Sequence, residues 1–349
     1  MPSDRPQPPA WRSLTEFGPH GDSHWVALRA AVTFGVPLLL LWSVDRVDLA
    51  LPATFGAFTA LYGRANAHRS RAAMQSSAAV VLVAAVASGT ALAEHAAGPW
   101  AVALALTAAA AVAMLVSVAW SWHPPGVLFP VFAVGATASA GADAGDVLLH
   151  VAVAAVVALF ALAVGALGAL TPARQRPRSA WEAPRLAVLR SPATVTEAAR
   201  TALVVGVAGA AATGAGLDHA YWAAVGAAAV ASGPSTGHRV QRGLHRAVGT
   251  VAGVAVSGVL LALGMSPLAT ILVVIVLQAS AELLIGRNYA VALVVITPCA
   301  LLMVSLGSDA PASTLLVDRV VETVLGVVAG LTVVLAWDRL LTPRRRGSR

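Results

Sequence analysis

Apolar residues fill the chain in long stretches that are separated by short polar turns. An α-helix needs about 20 apolar residues to cross a bilayer. We therefore predict an all-α polytopic membrane protein with about twelve transmembrane helices. The first six spans cover about residues 25–43, 48–63, 72–93, 99–121, 126–141 and 146–170, and the second six cover about residues 195–215, 218–233, 241–264, 267–285, 289–306 and 314–341.

The second set of six spans repeats the first. Residues 48–69 and 218–239 share identical positions at an offset of 170, namely Asp48/Asp218, Gly56/Gly226, Gly63/Gly233, His68/His238 and Arg69/Arg239. Parallel repeats in transporters place a solute path between the two halves. The sequence thus divides into an N-terminal tail (1–24), a first repeat (25–170), a basic linker (171–194), a second repeat (195–341) and a basic C-terminal tail (342–349).

Composition and charge assign the class and the topology. The chain has 58% apolar residues, 11% charged residues and a mean hydropathy of +0.78, which excludes a soluble protein. All 23 basic residues are Arg, and most lie in the tails, the linker and the turns at 64–71 and 239–246. The opposite turns are acidic or neutral. This asymmetry predicts a multi-pass protein of the cytoplasmic membrane with both termini and the linker in the cytoplasm, and no nucleic-acid partner.

Signals for enzymatic or metal chemistry are missing from the sequence. The single cysteine, Cys299, lies in a span, and the histidines show no metal-ligand spacing. No phosphate-binding loop, nucleophile elbow or zinc-protease motif occurs. We therefore expect neither an enzyme nor a cofactor or metal site.

A basic stripe begins the third span of the second half. His238, Arg239, Arg242 and Arg246 recur there at helical spacing, and Gly249 and Gly253 follow at a spacing that favours close helix packing. The stripe either anchors the protein to lipid phosphates or forms a cytoplasmic vestibule that attracts organic anions. Arg29 and Arg200 begin the first span of each half, where they either reach the lipid phosphates or face the substrate.

The fifth span of each half contains a proline. Asn288 precedes this span in the second half, and Thr297-Pro298 lies within it, with Pro130 at the matching place in the first half. Proline-interrupted spans at matching places in two halves indicate a substrate site near the bilayer midplane. The alternative is a tolerated kink in which Thr297 satisfies the freed backbone group.

Acidic residues within the spans are candidates for proton coupling. Glu322 lies in the last span, where it either pairs with Arg319 or carries a proton, and Asp318 lies one turn before it. His150 occupies the matching position in the first half and titrates near neutral pH. Glu282, at the cytoplasmic end of a span, is a further candidate.

Three short motifs resemble the FUSC family of fusaric acid resistance proteins and aromatic acid exporters. They are His238-Arg239-x-x-Arg242 with Gly249-Thr250 downstream, Asn288-Tyr289-Ala290 before Thr297-Pro298, and Asp318-Arg319-x-x-Glu322-Thr323-x-x-Gly326. The resemblance covers residues 195–341 well and residues 25–170 more loosely. It implies export of organic, often aromatic, carboxylates and a distant relation to plant aluminium-activated malate channels. Many members carry a sizeable cytoplasmic domain where this chain has a short linker.

These features together predict an exporter of small organic carboxylates, aromatic or amphipathic, that exchanges them for protons. A passive organic-anion channel and a non-transporting scaffold or lipid-enzyme subunit remain open as alternatives. The expected partners are membrane lipids and the organic anion, and the sequence leaves open whether two chains form a homodimer.

The topology can be tested by labelling single cysteines at Ser179 and Ser348 in a Cys299→Ala background. Because both positions are predicted to be cytoplasmic, we expect neither to react with an impermeant thiol reagent added to intact cells. Reaction of either one before lysis would contradict the topology.

Overall fold

The computed structural model describes residues 12–19, 23–64, 66, 68–167, 184–233, 235–306 and 311–341, and these residues form helices without any strand. The polytopic all-α fold is thereby confirmed. The predicted cytoplasmic segments at 171–183 and 342–349 lie outside the described residues. The α-helices are α1 Ser23–Ser43, α2 Ala50–Ala57, α3 His68–Glu94, α4 Pro99–Ala119, α5 Leu128–Ser139, α6 Asp146–Leu167, α7 Pro192–Gly214, α8 Tyr221–Ala231, α9 Thr236–Ala262, α10 Pro267–Leu284, α11 Tyr289–Ser305 and α12 Ala312–Leu341. Short 3-10 helices cover Arg12–Leu14, Val47–Leu49, Phe58–Leu61 and Leu186–Arg190.

The helices fall into two length classes. Eight of them, α1, α3, α4, α6, α7, α9, α10 and α12, are long and apolar enough to cross a membrane. The other four, α2, α5, α8 and α11, have 8, 12, 11 and 17 residues. At about 1.5 Å per residue they are shorter than a hydrocarbon core of about 30 Å. Four of the predicted spans therefore contain helices that end inside the bundle.

Burial explains why the short helices are stable in a membrane. Every residue of α2 and of α8 is buried by the longer helices around them. Interrupted backbone is tolerated at membrane depth only where protein rather than lipid surrounds it.

The prolines of the fifth spans differ in position. Pro298 lies inside α11, whereas Pro130 lies in the first turn of α5, where its missing N–H disrupts no helical hydrogen bond.

The two halves interlock. Each half has the same order of long and short helices, but the first helix of each packs against the fourth helix of the other, α1 on α10 and α7 on α4. Within each half the third helix packs on the fifth, α3 on α5 and α9 on α11. Because the first helices are exchanged, the halves are not two separate bundles, and the short helices α2, α5, α8 and α11 meet in the centre.

Glycines allow the closest helix contacts, as the small-residue spacing predicted. A Cβ on Gly249 would collide with the carbonyl oxygen of Ala290 on α11, and a Cβ on Gly326 would collide with that of Ala223 on α8. Both contacts place one backbone directly against another. The helices therefore approach each other at distances that only glycine permits.

Gly326→Ala should destabilise the protein by roughly 1–3 kcal/mol, because overpacking forces two backbones apart. Thermal unfolding of the purified protein in detergent measures the effect. The control is Gly258→Ala on α9, where a new Cβ would meet Leu316 Cδ1 at an ordinary 3.6 Å. Equal Tm values for the two variants would show that the contact between α8 and α12 tolerates a methyl group.

Candidate functional site

A largely apolar cavity lies where the two halves meet. Six aromatic rings line it: Phe34 of α1, Phe55 of α2, Phe58 in the following 3-10 helix, Phe129 and Phe132 of α5, and Trp222 of α8. The chain has seven phenylalanines, and five of them surround this one space. Phe132 lies 4.8 Å from Trp222 and 5.2 Å from Phe55 between ring centroids, which are favourable aromatic packing distances.

Two buried arginines project onto the same cavity. Arg319 of α12 is 1% exposed and Arg246 of α9 is 3% exposed. The guanidinium of Arg319 lies 3.7 Å from the centroid of the Trp222 ring, a cation–π contact that compensates part of its desolvation. Its Nε and Nη1 atoms have no hydrogen-bond partner among the described residues. Arg246 donates through Nη1 to the Tyr289 hydroxyl at 3.4 Å, while its Nε lacks a partner there.

The cavity is small in this conformation. The space open to the centres of water-sized molecules is about 70 Å³, whereas about 10–15 Å³ is enough for one water. Several waters fit, and a benzoate-sized ligand would displace them and shift some side chains. Thr54 of α2, Gln278 of α10 and Cys299 of α11 add further polar atoms to the wall.

A second, polar space opens at the other end of the bundle, which we call the outer vestibule. It measures about 600 Å³ by the same criterion, and Arg46, Asp48, Asp143, Asp146, His150 and His219 are among its lining residues. Leu51 of α2 and Met303 of α11 line both the outer vestibule and the cavity. Thr54 Oγ1 approaches Met303 Sδ at 3.9 Å. Two apolar side chains thus form part of the boundary between the two spaces.

Glu322 does not pair with Arg319. It is fully buried, and its Oε1 accepts a hydrogen bond from the backbone N–H of His219 at 3.0 Å. His219 Nδ1 lies 2.8 Å from Asp318 Oδ2. Three potential ligand atoms of His219, Asp318 and Glu322 lie within 4.8 Å of one another, an arrangement that could hold a proton or a metal ion. The sequence suggested no metal site because His219 is remote in the chain from the two acids.

The basic stripe is divided between structural and cavity-facing roles. His238 is exposed and interacts with Ser235, the N-cap of α9, and Arg239 Nη1 lies 3.8 Å from Asp338 Oδ2. Arg242 donates to the carbonyl of Ala229 and lies 4.5 Å from the Tyr289 ring centroid. Only Arg246 of the four reaches the cavity wall. The four residues of the stripe therefore have different contacts, and they do not line one common space.

The remaining candidate cations and acids lie mostly in ion pairs near the ends of helices. Arg200 pairs with Glu197 on α7. Glu282 of α10 is 3% exposed and pairs with Arg64 of the first half at 2.7 Å, and Arg29 of α1 is close enough to interact with it electrostatically. Neither Arg29 nor Arg200 is among the described residues that line the cavity, so the structure does not bring this predicted pair to the aromatic site.

The polar residues of the fifth span lie apart from one another. Thr297 is fully buried and packs against Gly253 of α9, while its neighbours Ile296 and Cys299 line the cavity. Asn288 caps α11 at the opposite end of the span by accepting from the Val291 N–H. His150 on α6 contacts Thr90 Oγ1 at 3.1 Å and faces the outer vestibule.

The sequence did not reveal the aromatic wall. The phenylalanines and Trp222 lie on five different elements, so no local spacing links them. Tyr289 was visible as part of the Asn288-Tyr289-Ala290 motif, but its contacts with Arg242 and Arg246 depend on the packing of α9 on α11. The excess of phenylalanine near the short spans was the available signal.

Part of the second half is similar to a known protein family. Residues 205–333 match the family described as fusaric acid resistance protein-like. This confirms the resemblance shown by the motifs, and the matched segment contains Trp222, Arg242, Arg246, Arg319 and Glu322. The match shows what this part of the second half is similar to.

One relative and the solved structures complete the comparison. The chain is 33% identical over 131 residues to an uncharacterized membrane protein, YvaC, of Bacillus subtilis (strain 168). The match covers 37% of this chain and only 21% of that relative. No solved structure matches. The similarity is to a membrane protein, and it does not define a substrate.

Proposed function

We propose that this protein moves small aromatic carboxylates across the cytoplasmic membrane, from the end of the bundle that carries the arginines to the end that carries the outer vestibule. The arginine-rich end is cytoplasmic by the positive-inside rule. The ring of the substrate packs among the phenylalanines and Trp222, and its carboxylate pairs with Arg319 and Arg246. Fusaric acid, which gives the matching family its name, has this combination of aromatic ring and carboxylate.

The observation that carries the proposal is the buried guanidinium of Arg319, for which the described residues supply no salt-bridge partner and which leaves Nε and Nη1 without a hydrogen bond there. A buried cation without a counter-ion is costly, because desolvation exceeds what one aromatic face returns. Arg246 lies on the same wall, so the two like charges also repel each other. A carboxylate accepts two parallel hydrogen bonds from a guanidinium. An anion in the cavity would therefore remove both penalties at once.

Charges at the two ends favour outward movement. Arg242 and Arg246 lead inward from the basic end along α9, which concentrates anions there. Beyond Leu51 and Met303 the outer vestibule contains Asp143 and Asp146, besides Asp48, which Arg46 neutralises in part. These carboxylates repel an anion that has crossed, and an interior-negative potential adds about 2.3 kcal/mol per charge for each 100 mV.

The position of Glu322 determines the sense of any proton coupling. Glu322 and Arg319 lie three residues apart on α12 and interact electrostatically. A charged Glu322 weakens the attraction of Arg319 for a substrate anion, and a protonated Glu322 restores it. Proton and anion therefore bind together rather than in exchange. This linkage argues against the proton exchange that the sequence suggested, because a site that binds proton and anion together would carry both in the same direction.

Arg319→Gln should weaken binding of fusaric acid or benzoate by roughly 10- to 100-fold, because it removes charge-assisted hydrogen bonds in a buried site. Equilibrium binding to the purified protein and efflux from proteoliposomes measure the loss. Thermal stability should stay equal or rise, because an unpaired buried charge has been removed.

The control for this variant is Arg46→Gln, which removes an exposed arginine paired with Asp48. It should retain normal binding. A large drop in Tm for Arg319→Gln with unchanged ligand affinity would instead make Arg319 a structural partner of Trp222. A wild-type protein that neither binds nor moves any aromatic acid would favour the scaffold alternative.

Glu322→Gln removes the negative charge beside Arg319 at constant volume. We expect severalfold tighter anion binding at pH values where the wild-type carboxylate is charged, because the competing charge is gone, and little change where it is protonated. The pH dependence of binding should also flatten, since Gln does not titrate. Binding titrations between pH 5 and 9 test both effects. Weaker binding in the variant would contradict the proposed linkage and return the proton-exchange mechanism to first place.

A further inference from the structure

The basic mouth of the path is covered by the protein's own N-terminal segment. We call residues 13–18 the strap. The Asn288 side chain, which is only 3% exposed, donates from Nδ2 to the carbonyl oxygens of Leu14 at 2.7 Å and Glu16 at 3.1 Å. One buried amide at the start of α11 thus holds the middle of the strap by its backbone.

Both ends of the strap are also attached. Ser13 Oγ lies 2.7 Å from His245 Nε2 on α9. The Gly18 N–H donates to the carbonyl of Arg287 at 2.9 Å, and Arg287 Nε donates back to the Gly18 carbonyl at 3.3 Å. The Arg287 guanidinium also lies 5.6 Å from the centroid of the Phe17 ring. The strap is therefore seated on α9 and on the start of α11 over its whole length.

The groups beneath the strap lead directly to the cavity. His245 stacks on Tyr289 with ring centroids 6.4 Å apart, and the Tyr289 hydroxyl accepts from Arg246. Arg242 lies over the same tyrosine ring. Arg242, His245 and Arg246 thus surround Tyr289, and Asn288 precedes that tyrosine in the chain, so an anion that follows the arginines of α9 would pass close to these residues. The strap covers His245 and Asn288.

The strap presents mainly oxygen acceptors to this surface. Asn288 and Arg287 both donate to its carbonyl groups. A carboxylate is a stronger acceptor than a carbonyl, because it carries charge. A carboxylate can therefore replace the strap carbonyls as the acceptor of the Asn288 hydrogen bonds. The positive charge of nearby Arg242 attracts a carboxylate more strongly than it attracts a neutral carbonyl.

We propose that His245, Asn288 and Arg242 form a loading site for the carboxylate of the substrate, and that the strap occupies this site until an anion displaces it. The inference rests on the proposed transport of aromatic carboxylates and adds a second, cytoplasmic site to it. Displacement of the strap opens the path to Arg246, and its return closes the basic end behind the substrate.

Hydrogen–deuterium exchange of the full-length protein in detergent tests the docking without a label. The strap peptide of Asn288→Ala should exchange roughly tenfold faster than that of the wild type, since its main anchoring hydrogen bonds are lost. Benzoate should speed exchange of the wild-type strap in a saturable way. The control is Asn66→Ala, which removes an asparagine that bonds to Ser70 in the first half, and it should leave the strap unchanged.

Transport provides a second readout. When residues 13–17 are replaced by a Gly-Ser segment of equal length, the apparent KM for benzoate efflux from proteoliposomes should fall severalfold with little change in the maximal rate. The replacement keeps the backbone carbonyls, but it loses the Phe17 contact with Arg287 and costs more conformational entropy to dock, so it competes less well for the site. A strap that exchanges equally fast in wild type and Asn288→Ala, or that ignores benzoate, overturns the proposal. A higher KM in the Gly-Ser variant does so as well.

The two proposals fail in different ways. If the wild-type protein binds no benzoate and moves none, the proposed function is wrong, and the Asn288→Ala exchange rate still reports whether the strap is docked. If benzoate is transported but strap exchange does not respond to it, transport stands and the loading site is rejected.

Discussion

Burying two guanidinium groups in one apolar cavity costs free energy, and this cost determines which groups must surround the cavity at the centre of the protein. Arg319 and Arg246 are almost fully buried on the same wall, where the Trp222 ring and the Tyr289 hydroxyl offset part of their desolvation. The nearest acid along α12, Glu322, accepts instead from the backbone of His219. A site with excess buried positive charge and a wall of aromatic rings is complementary to an aromatic anion.

Duplication followed by divergence explains how the chain builds such a site. The rings of the wall come mainly from the first half, on α1, α2 and α5, whereas the cations come from α9 and α12 of the second half. At the positions that match Arg246 and Arg319 the first half has Ser76 and Val147. The first half therefore supplies most of the rings and the second half supplies the cations of one site. The exchanged packing of α1 and α7 holds the two contributions together.

Local features of the fold could be predicted from the sequence, and the assembled site could not. The length of the apolar stretches located the helices, and the glycine spacing indicated that Gly249 and Gly326 lie at close helix contacts. Both signals come from residues that are close in the chain. The same reasoning gave full spans at 48–63 and 218–233, where burial by neighbouring helices permits short ones. The stripe of Arg239, Arg242 and Arg246 was visible as a face. In the structure, Arg239 contacts Asp338 of α12, Arg242 contacts Tyr289 of α11, and Arg246 lines the cavity. These contacts depend on how α11 and α12 pack against α9, which the local sequence does not show.

The short helices also determine where the path can open. Leu51 lies on α2 and Met303 on α11, and these two helices contact each other between the cavity and the outer vestibule. Because α2 is buried by protein along its whole length, a small shift of its ends exposes no backbone group to lipid. A long helix that crosses the membrane has no ends at mid-depth that could shift in this way. Movement of two apolar side chains on short helices is therefore a less costly way to join the cavity to the outer vestibule than movement of the surrounding long helices.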